Sequence, residues 1–440
     1  MTPNGIGAHA ILVHDGRISG VADPEATLFG AEIVDAGDAV VMPGLVDTHV
    51  HINEPGRTEW EGFATATRTA AAGGITTLLD MPLNSIPATT TLAALQAKRE
   101  AAQGQCWVDV GFLGGVVPGN AIALHGLFGA GVLGFKCFLV PSGVPEFAHV
   151  VERDLRAALP ILARLGTTLM VHAELPGPIK EAPRSPDPRS YAGYRASRPR
   201  EAEEEAIALV LSLAEECGAR VHIVHLSSGD SLHVLASARS RGVSVTAETC
   251  PHYLHFAAED IPDGATQFKC APPIRGRSDR EELWRALDAG LIDLVVSDHS
   301  PCPPEMKCLD SGDFGAARGG IASLQLGLPV VWNGMRARGL PVERLATWMS
   351  AAPARLAGLS RRKGAIAEGR DADFVVWRPE EEFTVTAGSL LQRHALTPYL
   401  GARLPGVVEA TYLRGERIYE RGAVGASARG VLLAREPSER

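Results

Sequence analysis

From Val46 onward, short runs rich in β-branched and apolar residues alternate with longer helical stretches rich in Ala, Leu, Glu and Arg. The strand-like runs are residues 44–51, 75–82, 107–116, 132–140, 167–172, 220–227, 243–249 and 291–298. Eight strand–helix units in this length predict an α/β fold, a (β/α)8 barrel of the TIM type. A doubly wound open sheet is the alternative, but the glycine-rich nucleotide turn that usually follows its first strand is missing.

The two ends of the chain have a different pattern. Short strand-like pieces with glycine-rich turns occupy residues 10–13, 17–21 and 39–42, and again 373–377, 383–385, 407–413 and 416–419. Because chain termini often lie close together, residues 1–42 and 363–430 are expected to form one small β-sandwich domain. Residues 43–362 are then the barrel domain. The tail after Gly430 shows no periodicity and is expected to be loosely structured.

The net charge, the apolar runs and the cysteines indicate which partners and which cellular setting to expect. The 440-residue chain carries a formal net charge of −9, which argues against nucleic acid or an anionic membrane as a partner. No signal peptide and no bilayer-spanning apolar run is apparent. The seven cysteines show no pairing pattern, and Cys302 and Cys308 are interpreted as free thiols. A reduced, cytoplasmic setting is therefore expected.

The strongest local signal for chemistry is Asp47-Thr48-His49-Val50-His51. Residues i and i+2 of a strand face the same side, so His49 and His51 are expected to point together into the barrel mouth. Two neutral imidazoles at that spacing can clamp a metal ion. Taken alone, the pair fits ordinary polar strand residues equally well.

Three further side chains end predicted strands: His172 the fifth, His225 the sixth and Asp298 the eighth. Barrel enzymes place their active sites at these carboxyl ends, so the side chains should converge. Singly, each is better explained as a hydrogen-bonded structural residue, whereas jointly they favour a metal site. By strand alternation, His222 and His299 should face away from His225 and Asp298. A structural role is expected for His252 and His255.

Lys136 ends the fourth predicted strand. A buried lysine is costly unless something uses it, and a desolvated amine loses its proton more easily. The neutral amine can then add carbon dioxide and become an anionic carbamate that bridges two metals. A lysine snorkelling from the strand end to water is the alternative, and spacing alone leaves both open.

Longer motifs resemble a known family. They run in order along nearly the whole chain: GLVDTHVHINEP at 44–55, GFKCFL at 134–139, VHAE at 171–174, HIVHLSS at 222–228, ETCPHYL at 248–254, KCAPPIR at 269–275, SDHSPC at 297–302, GGIASLQ at 319–325 and LTPYLG at 396–401. The set resembles the amidohydrolase superfamily, in its cyclic amidohydrolase branch of dihydroorotases, hydantoinases and allantoinases. HINEPGRTEWEG at 51–62, MPLNSIPATT at 81–90, FKCAPPIR at 268–275 and LTPYLG are most similar to the allantoinases.

The resemblance implies a metal-dependent hydrolase that opens a cyclic amide, with allantoin converted to allantoate. It implies two divalent ions, with zinc suited to the ligand types and manganese, iron or cobalt also compatible. The implied ligands are His49, His51, carboxylated Lys136, His172, His225 and Asp298, and Asp298 is also the proton shuttle. It places substrate contacts at Cys270 and Arg318, in the loops after strands seven and eight. The implied partner is a small cyclic ureide, and the implied assembly is a homotetramer.

The alternatives are a dihydroorotase, a hydantoinase or dihydropyrimidinase, and a non-catalytic scaffold. A scaffold would typically lose ligands, and all six positions are filled here. The dihydroorotase pattern has an Arg two residues after the His-x-His pair, which binds the substrate carboxylate. This chain has Asn53 at that position. Asn53 and Asn84 suit a neutral ureido group better than a carboxylate, although Asn53 could simply cap a turn.

Two features depart from the family pattern. The chain begins with MTPNGIGAHAIL, where relatives usually have an earlier strand, so the start could be misplaced or the sandwich could lack a strand. In addition, Ala316-Ala317-Arg318 precedes Gly319, where a bulky aromatic residue is expected.

Overall fold

The structure is a computed structural model that describes residues 1–3, 5–25 and 30–435. Its strands are β1 Ala10–His14, β2 Arg17–Ala22, β3 Val40–Pro43, β4 Leu45–Val50, β5 Ile75–Asp80, β6 Asp109–Phe112, β7 Gly114–Gly115, β8 Phe135–Phe138, β9 Thr168–His172, β10 Arg220–Ile223, β11 Val245–Thr249, β12 Leu294–Val295, β13 Phe374–Thr384, β14 Arg403–Leu413, β15 Glu416–Glu420 and β16 Ala423–Val424. Its α-helices are α1 Phe63–Ala72, α2 Leu92–Ala102, α3 Ala123–Gly129, α4 Glu152–Leu165, α5 Pro176–Glu181, α6 Tyr191–Ala196, α7 Arg200–Cys217, α8 Leu232–Ser240, α9 Pro251–His255, α10 Arg277–Asp288, α11 Gly327–Arg336, α12 Glu343–Ala346 and α13 Ala352–Leu356.

The central strands form a parallel barrel. Strands β4, β5 and β6 pair in that order, and β7 to β12 continue the pairing. Strands β6 and β7 are two halves of one barrel strand, interrupted at Leu113. The ring closes where Val50 of the first strand bridges His299 in parallel, and the His51 N–H donates to the His299 carbonyl at 2.9 Å. The predicted (β/α)8 barrel is therefore confirmed, with strands shorter than predicted.

The two ends of the chain share an antiparallel sheet. Strand β3 pairs with β13, so that Met42 lies opposite Val375, and β14, β15 and β16 extend the sheet. Strands β1 and β2 form a separate hairpin. Two strands were predicted at 373–377 and 383–385, which is wrong: β13 runs unbroken and absorbs the irregular stretch as a register shift between Arg378 and Glu382. The proposed domain boundaries stay a prediction.

The expectation of a loose tail after Gly430 is wrong for residues 431–435, and residues 436–440 lie outside the described residues. The tail pairs with β6 at Val110. Strand β8, the next strand of the barrel, begins at Phe135 and on this side pairs only with β7, so it leaves this part of the β6 edge open. The Val110 N–H donates to the Val431 carbonyl at 3.0 Å, and the Leu433 N–H donates to the Val110 carbonyl at 2.8 Å. Leu433 is buried, which a random tail would not achieve.

A buried ionic cluster joins the lower end of the barrel to the sheet of the two chain ends. The Lys363 ammonium lies 2.6 Å from a carboxylate oxygen of Asp109 at the start of β6, and 2.6 Å from one of Asp373 before β13. Asp371 lies 3.0 Å from the same ammonium. Arg414 donates to both oxygens of Asp109 at 2.8 Å. These contacts fix the sheet against the end of the barrel opposite the strand carboxyl ends.

All seven cysteines are free, which confirms the interpretation of Cys302 and Cys308 as thiols. Across the described residues, none of the helices combines the length and apolar character needed to cross a bilayer.

Candidate active site

The predicted site residues lie at the carboxyl ends of the barrel strands, and all six are buried, none more than 6% exposed. His49 lies within β4 and His51 directly follows it. Lys136 lies in β8, and His172 is the last residue of β9. His225 and Asp298 lie beyond the ends of β10 and β12, in the loops that follow.

Two of these six residues reach the site through an unusual backbone. His225 has φ +38° and Asp298 has φ +45°, both in the left-handed region that side chains with a Cβ rarely adopt. Such conformations cost on the order of 1–3 kcal/mol and cluster at functional sites. They end the regular strands early, so strand alternation does not apply to these two positions.

The orientation predicted for His222 by alternation is accordingly wrong. His222 lies in β10, and its ring contacts the carboxylate of Glu248 and the hydroxyl of Thr246 on the neighbouring strand β11. It shares the carboxylate of Glu248 with His49 and so does not face away from the site. His299 does turn away from Asp298: its Nδ1 accepts the backbone N–H of Ser323 at 3.2 Å.

Three donor atoms form a first candidate metal cluster. The Nε2 atom of His49 lies 3.2 Å from Oδ1 of Asp298, and Nε2 of His51 lies 3.5 Å from the same oxygen. These three residues each offer one atom within 4.8 Å of the others. Burial lowers the pKa of both histidines, so their rings are neutral and their nitrogen lone pairs are available.

A second cluster lies beside the first. The Nδ1 atom of His172 faces Nε2 of His225 at 3.0 Å. The ring centroids of His49 and His225 are 5.3 Å apart, which places the two clusters next to each other. Burial lowers the pKa of His172 and holds that of His225 well below its usual value.

Lys136 is close enough to both clusters for its charge to act on the histidines of each. Its ammonium is completely buried, without any hydrogen-bond partner among the described residues, and lies 5.1 Å from the ring centroid of Phe138. Burial lowers the pKa of Lys136 to about 8, although the carboxylates of Glu248 and Asp298 act in the opposite direction. A buried amine without a partner is costly, and the alternative of a lysine snorkelling to water is wrong because no part of it reaches solvent.

The donor set therefore fits a pair of divalent ions. Imidazole and carboxylate are ligands that zinc and similar metals accept. Carboxylation of Lys136 would replace an unpartnered cation by an anion close to both clusters. On its own, burial would raise the pKa of Asp298, but the hydrogen bond and charge of His51 hold it below its usual value.

The mouth of the site is built from five loops, which follow β4, β5, β8, β11 and β12. Asn53 is fully buried, and its Oδ1 has no hydrogen-bond partner in the described chain. Arg318 donates to the Gly143 carbonyl at 3.1 Å and lies 3.5 Å from Oδ1 of Asn84. The Gly320 N–H donates to the Lys269 carbonyl at 2.8 Å, which holds the loop of Arg318 against the loop of Cys270.

An aromatic residue between two arginines forms the rim, and sequence reasoning missed it. The guanidinium carbons of Arg57 and Arg318 lie 5.1 Å and 4.6 Å from the ring of Trp60. Arg57 also pairs with Glu146 and donates to the Asn84 carbonyl at 2.7 Å. Trp60 and Arg57 occur in HINEPGRTEWEG, so this motif contained the available signal.

Two buried glutamates that contact the site histidines were also missed. Glu248 contacts His49, and Glu174 contacts His172. Their signal in the sequence was their place in the motifs ETCPHYL and VHAE, where an acidic residue stands at a strand end or two residues after a strand-end histidine.

Comparison with known proteins identifies the family. Residues 40–418 match the sequence model of the amidohydrolase family. The chain belongs to this family. It is 51% identical over 438 residues to the allantoinase of Streptomyces avermitilis, an alignment covering 99% of this chain and 97% of that protein. It is 45% identical over 450 residues to the allantoinase of Arabidopsis thaliana, covering 98% and 89%.

This member of the amidohydrolase family also resembles solved structures. The L-hydantoinase (dihydropyrimidinase) of Arthrobacter aurescens superposes with a TM-score of 0.92 at 32% sequence identity, covering 99% of this chain and 97% of that chain. The predicted recognition of the cyclic amidohydrolase branch is confirmed.

Proposed function

We propose that this amidohydrolase hydrolyses the ring amide of allantoin to give allantoate. The observation that carries the proposal is the convergence of four histidines, Lys136 and Asp298 at the barrel mouth, beside a neutral Asn53 instead of a cationic side chain. Relatives named allantoinase at 40–51% identity support the substrate.

In this proposal the two clusters would hold two divalent metals, zinc being the expected one. His49, His51 and Asp298 would hold one, His172 and His225 would hold the other, and carboxylated Lys136 would contribute an anionic ligand. Carboxylation joins the Lys136 nitrogen to the carbon of carbon dioxide and releases a proton, so the product is an anion. When bound, the metals supply Lewis-acid chemistry, polarising a carbonyl and lowering the pKa of water toward neutrality.

In this proposal Asp298 acts first as the general base and then as the general acid. Its carboxylate accepts a proton from the attacking water, and the water oxygen adds to the ring carbonyl carbon. The carbon–nitrogen bond of the ring breaks, and Asp298 returns the proton to the leaving nitrogen. The products are a ureido N–H and a carboxylic acid, which releases the second proton of the water to solvent and becomes a carboxylate. The left-handed backbone at Asp298 directs the carboxylate toward both His49 and His51.

The mouth residues bind the substrate in this proposal. Asn53 offers a buried amide oxygen, and Arg318 offers N–H groups that a ureido carbonyl can accept. The backbone near Cys270 is proposed to bind the ring amide. Arg57 is paired with Glu146, so Arg318 is the mouth cation without a carboxylate partner among the described contacts.

A hydantoinase is the second candidate, because the Arthrobacter aurescens L-hydantoinase fold matches over nearly the whole chain. A side-by-side assay of the zinc-loaded protein on allantoin, dihydroorotate and hydantoin separates the candidates, with Asp298→Ala as the inactive control. We expect kcat/KM for allantoin to exceed that for dihydroorotate by at least about 100-fold, the effect of leaving a substrate charge unpaired. Equal rates on both, or a preference for hydantoin, would overturn the substrate assignment.

A homotetramer in the cytoplasm belongs to the same proposal. It is supported by the resemblance to the cyclic amidohydrolases and by seven free cysteines, as expected in a reducing compartment. Light scattering of the purified protein tests the assembly.

A further inference from the structure

Each candidate metal cluster contains one histidine whose outer ring nitrogen contacts a buried glutamate. We infer that Glu248 and Glu174 are positioning residues that fix which ring nitrogen His49 and His172 present to the metals, and that the two positions therefore bind metal with unequal affinity. The inference rests on the proposed metal-dependent function. It concerns residues outside the set of six ligands.

Glu248 contacts two imidazoles, one of which belongs to the first cluster. Its Oε1 lies 2.5 Å from Nδ1 of His49, and its Oε2 lies 2.8 Å from Nε2 of His222. The other nitrogen of His222 lies 2.7 Å from the hydroxyl of Thr246. Glu248, His49 and His222 are all buried, so water does not compete for these contacts. No arginine or lysine pairs with Glu248 within the described chain.

Glu174 contacts the second cluster in a different electrostatic setting. Its Oε2 lies 2.7 Å from Nε2 of His172. Arg198 also donates to both oxygens of Glu174, with Nε at 3.0 Å from Oε1. Burial alone would raise the pKa of Glu174, but the charge of Arg198 and the hydrogen bond from His172 hold it well below its usual value.

These contacts select the tautomers of the two histidines. A carboxylate oxygen only accepts hydrogen bonds, so the hydrogen must be on Nδ1 in His49 and on Nε2 in His172. The bare nitrogens are then the opposite ones. Nε2 of His49 faces Asp298 at 3.2 Å, and Nδ1 of His172 faces His225 at 3.0 Å. Both bare nitrogens point into the clusters where the metals are proposed.

The two positions differ in negative charge. The first would have the carboxylate of Asp298 as a direct ligand and has Glu248 behind His49, and no arginine or lysine of the described chain is paired with either carboxylate. The second has two imidazoles, and Arg198 neutralises the glutamate behind His172. A carboxylate hydrogen-bonded to a ligand histidine raises its basicity, and a guanidinium on that carboxylate weakens this effect. The first position should therefore bind its metal more tightly.

The test is release of zinc from the loaded holoenzyme into graded concentrations of a chelator, with zinc per chain measured by atomic emission. The wild-type protein should lose its metals in two steps. Glu248→Gln should shift the tighter step by about 10–100-fold and leave the weaker step in place. Glu174→Gln should shift only the weaker step, and by a smaller factor, because Arg198 already weakens the effect of Glu174 on His172. The visible spectrum of the cobalt-loaded protein reports the altered coordination independently of activity.

Glu203→Gln is the matched control. Glu203 is equally buried and also pairs with an arginine, Arg275, at 3.3 Å. Its other described partners are Ser227 and Ser228, and none of its described partners is a ligand histidine. It should leave both release steps unchanged. If a Gln variant does not fold, Arg198→Lys tests whether the contact between Arg198 and Glu174 affects metal binding at the second position. This variant keeps the positive charge but loses the two-pronged contact, and it should shift only the weaker release step.

Release of both metals in one step overturns the inference. So does a Glu248→Gln variant that shifts only the weaker step, or glutamate variants that release metal like the wild type. A wild-type chain that takes up no metal overturns the proposed function itself, which keeps the two failures distinguishable.

Discussion

Nδ1 of His172 faces Nε2 of His225 across 3.0 Å, although the two residues are 53 positions apart, one ending β9 and the other in the loop after β10. Glu174 occupies the other nitrogen of His172, at 2.7 Å. Since that nitrogen donates its hydrogen to the carboxylate, the one facing His225 carries a lone pair. A lone pair directed into a buried cluster is what a metal ligand requires.

Lys136→Ala should remove the anion proposed between the clusters. We expect the variant to lose at least one of its two metals and nearly all activity, because the shared ligand is gone. Short carboxylic acids in the buffer should restore part of the activity by occupying the space of the carbamate. Metal content and turnover with and without propionate are the measurements. A wild-type enzyme that is active, metal-loaded and unmodified at Lys136 by crystallography would contradict the carbamate.

Reloading of metal-free protein should depend on pH through Lys136. Burial lowers the pKa of this amine to about 8, so the reactive neutral form predominates above that pH and is lost below it. At equal dissolved carbon dioxide, we expect reactivation to be roughly 20-fold faster at pH 8.5 than at pH 6.5, following the neutral fraction. A rate that does not change with pH, or rises toward acid, would contradict this expectation.

Asp298→Ala should abolish turnover while leaving the fold and much of the metal in place. The histidines and the carbamate still hold the ions, whereas the group that moves the proton is missing. We expect kcat to fall by about 10²–10⁴-fold, the usual effect of losing a general base. Steady-state kinetics and metal analysis of the same sample provide the check. More than about a hundredth of wild-type kcat would exclude this role.

Arg318→Met should weaken substrate binding more than it slows the chemical step. Arg318 lies 4.6 Å from the Trp60 ring and 3.1 Å from the Gly143 carbonyl, at the rim and not among the proposed ligands. We expect kcat/KM for allantoin to fall about 10–100-fold, mainly through KM, as for a lost hydrogen bond to a charged group. Arg156→Met, in a surface ion pair of helix α4, is the control and should leave both constants unchanged. A fall confined to kcat would place Arg318 in the chemical step instead.

Lys363→Met should lower the free energy of unfolding without changing the candidate active site. Lys363 is buried against Asp109, Asp371 and Asp373, and its removal leaves buried carboxylates without their cation. Breaking such a buried pair costs about 3–5 kcal/mol in the free energy of unfolding. Urea unfolding followed by circular dichroism measures it, with the exposed Lys180→Met as control. A loss below about 1 kcal/mol would show that the cluster contributes little.

Much of the fold could be predicted from local patterns. The alternation of strand-like and helical runs specifies a barrel because side-chain period and strand length are properties of adjacent residues. His49 and His51 could be paired by the same argument, since both belong to one regular strand. His225 and Asp298 could be placed near the site but not oriented, because their left-handed backbone is imposed by the loops that follow.

The sequence by itself determined the barrel, its strand order along the chain and the six candidate ligands, because these depend on periodicity and on motifs a few residues long. Only the tertiary structure placed Glu248 between His49, 199 positions away, and His222. It also decided that the tail beyond Gly430 covers the open edge of β6. Such contacts form between residues far apart in the sequence that the closed barrel brings within hydrogen-bond distance. A local sequence pattern carries no information on which distant residues will meet.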